Sequence, residues 1–541
     1  MLFRIAVFLV LTLALNAAEP TPLALQRLVL ADTEEAALAA PPDFEIVRPV
    51  NLPLLDAPDF PSVIAPLVGR PITTELLNDV GNAIAKYARE HDRLITRVLI
   101  PNQNVTDGTV RLVVVFGRYS DIAFRGNRWF SRELLEERLG IKPGDEVRLS
   151  VLEDAVNWAN TNPFRMIKVL VDPINNQPGK ANLLVGVQER WPWRLSAIVD
   201  NYGNAVLGEW HYAMAVQAGN LWGRDHQASY QFVTTDDIDL YQAHAMSYRI
   251  PLRWRHFLEF TASYAKVNPT FGTGNIFAQQ GRSQGAGVRY RVPIRSGDSP
   301  IEIFGGMDLR RGNNNLEFAG TSVYATDVDT IQFTVGGTWV RRDKRGAWVF
   351  TGAANASPGY LNKRNDARAY GNARLGAKPH YVFSNVSLQR LQALGQGWDL
   401  SLRLVGQLSS TNLVGEQLTA GGATSVRGYT TNIYAGDEGL IFSSDLLTPA
   451  VSVPLAKVSS KLPALQTRFA VFFDAARLYM NHSFRSDVPM STLASVGVGL
   501  RANVANNFSL NFDYGVQLRE LPAVYKNTRS GQGHVRAVLA F

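Results

Sequence analysis

The sequence predicts a transmembrane antiparallel β-barrel of about 16 strands, preceded by two small α+β domains. Three observations carry this expectation. Residues 191–541 alternate in polarity with period two over long stretches, separated by Gly/Asn/Asp turns. Residues 43–190 instead repeat one strand, helix, strand, strand pattern. The chain also begins with a short apolar leader and ends on an aromatic residue.

The bulk composition fits that class and removes others. A chain of 541 residues exceeds one ordinary domain. With 46% hydrophobic and 19% charged residues, it is neither disordered nor highly solvated. Its mean hydropathy of -0.07 resembles that of a soluble protein. A membrane barrel shares that value because its lipid-facing and lumen-facing residues alternate and cancel. There is no cysteine, which excludes thiol chemistry, Cys-ligated zinc and a disulfide framework. The formal charge of +7 comes without any Lys/Arg run of the kind that binds nucleic acid, so no nucleic-acid partner is expected.

The leader is read first. Arg4 precedes an apolar run from Ile5 to Leu15, and Asn16-Ala17-Ala18 supplies small residues for cleavage. Residues 1–18 therefore read as a secretory signal peptide. The run falls short of the roughly 20 residues that a spanning helix requires. Residues 19–42 follow, rich in Ala and Leu. They read either as one short helix with a linker or as a flexible leader.

The first α+β domain is placed at 43–119. Phe44 to Val50 forms a strand, and Thr73 or Thr74 caps a helix whose apolar face is Leu76, Leu77, Val80, Ile84 and Tyr87. Strands from Leu94 to Ile100 and from Val110 to Phe116 flank a turn at Thr106-Asp107-Gly108. The second domain, 120–190, repeats the order. It has a strand at Ile122 to Phe124, helices around Leu135 and Leu152, and strands at Ile167 to Val171 and Leu183 to Val187.

From Trp191 onward helical spacing disappears. Phe508, Leu510, Phe512, Tyr514 and Val516 share one face of a strand, and Ser509, Asn511, Asp513, Gly515 and Gln517 share the other. Trp398 to Leu404 and Leu258 to Tyr264 alternate in the same way. A soluble sandwich has strands nearer five or six residues, without Trp and Tyr at so many strand ends. A closed barrel satisfies every backbone group inside a bilayer, which an open sheet cannot do. The last strand, Val535, Ala537, Leu539 and Phe541, ends on an aromatic residue. That ending resembles the recognition signal of bacterial outer-membrane proteins, and it makes outer-membrane lipid and the barrel assembly machinery expected partners.

The most specific segment is Gly421-Gly422-Ala423-Thr424-Ser425-Val426-Arg427-Gly428-Tyr429. It resembles the Val-Arg-Gly-Tyr loop of the outer-membrane assembly and secretion superfamily, whose members join POTRA domains to a sixteen-stranded barrel. The resemblance implies that this loop folds back into the lumen and that Arg427 meets an aspartate within a Phe-x-Asp-x-Gly strand. The matching strand holds Phe472-Phe473-Asp474-Ala475-Ala476. Phe469, Val471 and Phe473 form its outer face, so alternation alone turns Asp474 inward. Ala476 stands where the family usually has glycine.

Ile100-Pro101-Asn102-Gln103-Asn104-Val105-Thr106-Asp107-Gly108, with the strand that follows, looks like the first POTRA domain of two-partner secretion transporters of the haemolysin-activator type. Pro101, Gln103 and Gly108 carry that likeness. Asn162-Pro163-Phe164-Arg165 and Gly219-Asn220-Leu221-Trp222-Gly223-Arg224-Asp225 also resemble this family. The resemblance implies an unfolded exoprotein partner with an N-terminal secretion domain. That partner would dock on POTRA domains in the periplasm and thread through the barrel without nucleotide hydrolysis. In relatives a helix plugs the pore, and residues 19–42 resemble it. No motif for catalysis, metal or cofactor is found. There is no His-Glu-x-x-His, no Gly-x-Ser-x-Gly and no P-loop, and His211, His226, His244 and His256 are scattered on strands. A membrane-protein insertase of the same superfamily is the alternative. A passive porin leaves the α+β domains and the Arg427 loop unexplained.

Overall fold

The computed structural model describes residues 23–41, 43–204, 206–268, 270–271, 277–294, 299–318, 321–324, 326–455, 463–484, 488–521 and 530–541. The leader and its cleavage site lie outside them. The chain forms two compact units. One groups residues up to Arg128 with Leu135–Thr161 and Arg165–Gln188, and the other groups Trp129–Leu134 and Asn162–Phe164 with Glu189–Phe541.

The first α+β domain contains β1 (Arg27–Ala31), α1 (Glu34–Ala39), β2 (Val47–Val50), α2 (Phe60–Ile64), α3 (Thr74–Glu90), β3 (Thr96–Leu99) and β4 (Thr109–Phe116). Its sheet runs β2-β1-β4-β3. The Thr73 hydroxyl caps α3 by accepting the Leu76 N–H at 3.2 Å. The apolar stripe of α3 (Leu76, Val80, Ile84 and Tyr87) packs onto Leu28, Leu30 and Leu112 of the sheet.

The expectation for residues 19–42 is corrected here. Arg27–Ala31 is neither leader, linker nor plug helix. It is an inner strand of the first domain, parallel to β2 and to β4. Leu28, Val29, Leu30 and Ala31 are all buried. A parallel strand covered on both faces needs a continuous apolar run rather than alternation. Such a run of Ala, Leu and Val reads equally well as helix. Glu34–Ala39 is a single short helix, capped by Thr33.

The family-like segment after β3 has a clear structural logic. Continuing the β3–β4 register would set Pro101 opposite Arg111. Proline has no N–H to offer the ladder. The chain turns away, and the Gln103 amide takes the vacant place. Its Nε2 donates to the Arg111 carbonyl at 2.6 Å, and its Oε1 accepts the Arg111 N–H at 2.7 Å. Gly108, at φ +70°, completes the turn into β4, and its carbonyl accepts the Gln26 N–H just before β1.

The second domain contains β5 (Arg118–Arg125), α4 (Arg132–Leu139), α5 (Leu149–Ala159), β6 (Arg165–Pro173) and β7 (Lys180–Glu189). Its sheet runs β5-β7-β6, with β5 and β7 parallel. The two domains are stitched together between residues 92–95 and 146–150. Asp92 follows α3 and caps α5 of the next domain, accepting the Ser150 N–H and hydroxyl at 2.6 Å each. Arg148 donates to the same carboxylate at 2.9 Å.

The barrel begins with β8 (Trp193–Asp200), β9 (His211–Leu221), β10 (His226–Thr234), β11 (Tyr241–Pro251) and β12 (Phe257–Val267). It continues with β13 (Thr270–Phe271), β14 (Phe277–Ile294), β15 (Ile301–Phe318), β16 (Thr321–Tyr324), β17 (Asp327–Asp343) and β18 (Gly346–Ser357). Helix α6 (Ala367–Ala373) precedes β19 (Tyr381–Gly395) and β20 (Trp398–Ser409). After β21 (Leu418–Ala420) and β22 (Tyr434–Gly436) come β23 (Glu438–Leu447), β24 (Val451–Val453), β25 (Leu465–Tyr479), β26 (Met490–Val504), β27 (Phe508–Gln517) and β28 (Gly531–Ala540).

Sixteen long strands close into an antiparallel barrel, with β13, β16 and β24 as short extensions and β28 hydrogen-bonded to β8. Separate from the barrel sheet, β21 and β22 pair as a hairpin. Strand connections alternate between the end where β8 starts, where most are short turns, and the other end, which carries the longest loops, β18–β19 and β20–β23. Trp193, Trp254, Tyr290, Trp348 and Trp398 are exposed near the turn end, and Tyr212 and Tyr479 near the loop end. Two such aromatic bands suit the two interfaces of a bilayer. His226 and His244 each bond a tyrosine hydroxyl of a neighbouring strand, and His256 bonds Tyr290. His211 stands 3.4 Å from Asp200. Helix α6, capped by Asp366, departs from the expectation that helical structure ends at Trp191. At seven residues it is too short to announce itself by periodicity.

Candidate functional site

The long connection from β20 to β23 narrows at its base into the β21–β22 hairpin, with Leu418 opposite Gly436 and Ala420 opposite Tyr434. The hairpin carries the Val426-Arg427-Gly428-Tyr429 segment to the inner wall of the barrel. Strand β25 exposes Phe469, Val471 and Phe473 outward, and buries Phe472, Asp474 and Ala476 on the lumen side.

Arg427 and Asp474 come together there. The guanidinium Nε donates to Asp474 Oδ2 at 2.7 Å and Nη2 donates to Oδ1 at 2.8 Å. This is the paired geometry that makes Arg–carboxylate bonds strong and directional. The Arg427 backbone N–H adds a third bond to Asp474, at 3.0 Å. The Phe472 ring lies 3.6 Å beneath the guanidinium carbon, a cation–π contact. Asp474 is 0% exposed and Arg427 is 5% exposed. The Asp474 and Asp445 carboxylates face the guanidinium from two neighbouring strands, each with an oxygen 2.7 Å from one of its nitrogens.

Several partners of the segment were missed in the sequence. Asp445 of β23 accepts from Arg427 Nη1 at 2.7 Å, and Asp513 of β27 lies 3.5 Å from the same atom. Arg501 of β26 donates to Asp513 at 2.7 Å. Two arginines thus share three aspartates, a cluster of net charge -1 (2 - 3). Gly428 donates its N–H to His534 Nε2 at 3.2 Å and accepts from the Gln517 amide at 2.7 Å. An acceptor at Nε2 means that the His534 proton sits on Nδ1. The alternation of β27 already placed Asp513, Gly515 and Gln517 on one inward face. Nothing local marks Asp445 or His534.

Gly428 must be glycine for two reasons. Its φ is +88°, and a Cβ there would lie 2.7 Å from the Gly515 carbonyl carbon. The two backbones meet with no side chain between them. Tyr429 is fully buried, and its hydroxyl meets the carbonyls of Arg519 at 2.8 Å and Ala494 at 2.9 Å. Val426, Tyr429 and Ala476 pack in one apolar cluster with Leu478 and Leu493. The Ala476 methyl is therefore accommodated beside the loop.

The other singled-out residues lie apart. Pro101, Gln103 and Gly108 shape the β3–β4 edge. Phe541 is exposed, while its backbone N–H donates to the Leu195 carbonyl at 2.9 Å and its carbonyl accepts the Leu195 N–H at 3.1 Å. Two further family-like segments do meet. The buried Asn162 amide donates to the Gly219 carbonyl at 2.5 Å and to Asp225 at 2.6 Å, and the Phe164 ring fills the space where Gly219 lacks a Cβ. Among the described residues no group of three His, Asp or Glu is arranged to hold a metal ion.

A POTRA-like region ahead of a sixteen-stranded barrel, with an arginine loop held inside, defines an outer-membrane protein of the POTRA-plus-barrel class. The family description for the haemolysin secretion/activation protein ShlB/FhaC/HecB matches residues 179–502, and that for the ShlB-type POTRA domain matches 47–117. The chain belongs to this family of outer-membrane transporters.

Its sequence is 20% identical to the heme/hemopexin transporter protein HuxB of Haemophilus influenzae, over 82% of this chain and 78% of that one. It is 23% identical to the hemolysin transporter protein ShlB of Serratia marcescens, over 71% of this chain and 69% of that one. Among solved structures, CdiB from Escherichia coli superposes with a TM-score of 0.75 at 16% identity, covering 98% of this chain and 93% of that one.

Proposed function

We propose that this protein exports one dedicated exoprotein across the outer membrane of a Gram-negative cell, with no catalytic step of its own. Family membership carries export as the activity, and the Arg427–Asp474 lock inside the lumen is the observation that carries the mechanism. The α+β domains face the periplasm in this reading, so the turn end of the barrel is periplasmic and the loop end faces outward. The unfolded substrate adds as an extra strand to a free POTRA sheet edge, such as β6. Backbone bonding of that kind gives affinity with little demand on sequence.

The Arg427 loop serves as an internal lid. While Asp474 holds the guanidinium, the loop fills the conduit. Passage requires the loop to leave its seat, and the cluster re-forms once the chain has gone. An unpaired buried charge costs about 3–5 kcal/mol, so the seat is strongly preferred whenever no substrate competes for the lumen. Folding of the substrate at the cell surface supplies the outward bias, and no nucleotide is involved.

The test is secretion of a candidate exoprotein encoded beside this gene, in cells with and without the gene, alongside total outer-membrane barrel content. Loss of that one protein from the medium with other barrels unchanged supports dedicated export. Unchanged secretion with a general fall in outer-membrane barrels would favour an insertase.

A further inference from the structure

A second buried charge pair ties the loops together at the barrel mouth, and it shares no residue with the Arg427 cluster. Asp437 ends the β20–β23 connection, and its side chain is 0% exposed. Its carboxylate collects four donors from three connections. Arg374, at the end of α6 in the β18–β19 loop, gives Nη1 at 2.5 Å and Nη2 at 3.0 Å. Leu413, on the other limb of the β20–β23 loop, gives its N–H at 2.8 Å. Asn481, in the β25–β26 loop, gives its N–H at 3.2 Å.

Two asparagines repeat the pattern with neutral groups. Asn412 donates to the carbonyls of Leu375 and His482, at 3.0 and 2.8 Å, and accepts the His482 N–H at 2.8 Å. Asn481 donates to the carbonyls of Ser409 and Thr411, at 2.8 and 3.1 Å. Beneath them, Tyr370 of α6 packs with Val328, Tyr381, Phe383 and Leu413. Three loops that have no covalent reason to meet are thus joined through the side chains of Asp437, Asn412 and Asn481.

We propose that this knot is an outer door: Asp437, with Arg374, Asn412 and Asn481, clasps three loops across the loop-end mouth and must open for each exported chain. The inference rests on the export reading above and adds a second barrier to it. The Arg427 lock seats one loop on the barrel wall. The Asp437 clasp holds loops to one another, so releasing the first leaves the second closed. Asp437 suits the role because an aspartate accepts several bonds at once, and its one flexible partner, Arg374, makes the pair that opening would break. The remaining bonds run to backbone that moves with the loops.

The absence of cysteine from the chain permits a direct test. Ala377 and Asn412 are parallel bridge partners in two different loops. Such partners lie about 4.8 Å apart, within the span a disulfide closes. The Ala377→Cys/Asn412→Cys protein is expected to lose at least tenfold in secretion when oxidised and to recover on reduction, while each single variant ignores the oxidant. Wild-type secretion from the fully oxidised pair would overturn the proposal.

A second measurement needs no substrate. In planar bilayers, with the inner lid released, the full-length Arg427→Ala/Arg374→Ala protein is expected to open several-fold more often than Arg427→Ala alone, with its barrel still resistant to cold detergent. An unchanged open fraction in that folded barrel would equally overturn the proposal. Failure of the export reading itself shows separately, as absence of substrate release by the unmodified protein.

Discussion

Asp474 has no exposed surface and accepts three hydrogen bonds from one residue, so the seat it makes for Arg427 is legible from geometry alone. Arg427→Ala leaves Asp474 buried without its cation, and Asp474→Ala removes the main seat of the guanidinium. Each change is expected to weaken the seating of the loop by about 3–5 kcal/mol. Secretion should fall while heat-modifiable barrel remains in the membrane fraction, which an immunoblot of boiled and unboiled samples reads directly. Gly515→Ala tests the same seat from the wall side, since its Cβ would lie 2.6 Å from the Gly428 nitrogen. It should reproduce the Arg427→Ala secretion defect with every charge retained, and normal secretion would mean the close approach is dispensable. The sequence exposed Arg427 through its motif and Asp474 through strand alternation. Asp445 and His534 stayed hidden because a barrel brings together residues from four strands whose spacing no local pattern encodes.

Among the elements, the α+β domains show how side chains stand in for absent backbone. Gln103 replaces the partner that Pro101 cannot be, and Gln103→Leu would take both bonds from the part-buried Arg111 N–H and carbonyl, at about 0.5–1.5 kcal/mol each. A lower thermal midpoint for that domain checks it. Asp92 caps a helix in the next domain, so Asp92→Ala should cost about 1 kcal/mol and loosen the joint between the domains. Burial raises the Asp92 pKa, but the Ser150 hydroxyl and N–H and then Arg148 outweigh it and hold it below the ordinary 3.8. The depressed value means the cap is fully present above pH 3.8 and is lost as pH falls through the lower folded value. Thermal unfolding across that window should therefore drop more steeply in wild type than in Asp92→Ala, and parallel curves would count against the cap. The tandem α+β pattern was readable because α3 and α5 carry regular apolar faces. β1 was not, because a strand covered on both faces loses the alternation that identifies strands.

For the molecule as a whole, period-two alternation sufficed to give the barrel, since lipid outside and a polar lumen inside impose it on every strand. It could not give closure. The seam between β28 and β8 pairs only from Arg536↔Asp200 to Ala540↔Ser196, whereas β25 and β26 pair from Leu465↔Val504 to Tyr479↔Met490. Deleting Phe541 removes two backbone bonds adjoining that short seam. Folded barrel in the membrane should fall relative to total protein, and pulse-labelled heat-modifiability measures it. The Arg427 cluster also sets an order of events. Asp445, Asp474, Asp513 and His534 lie 18, 47, 86 and 106 residues downstream of the groups they hold. Contacts of such sequence separation form slowly, and each needs the strand that carries its partner to be in place. The loop therefore completes its seat, with the Gly428–His534 bond included, only once β28 is in place, so a fully seated loop certifies a finished barrel.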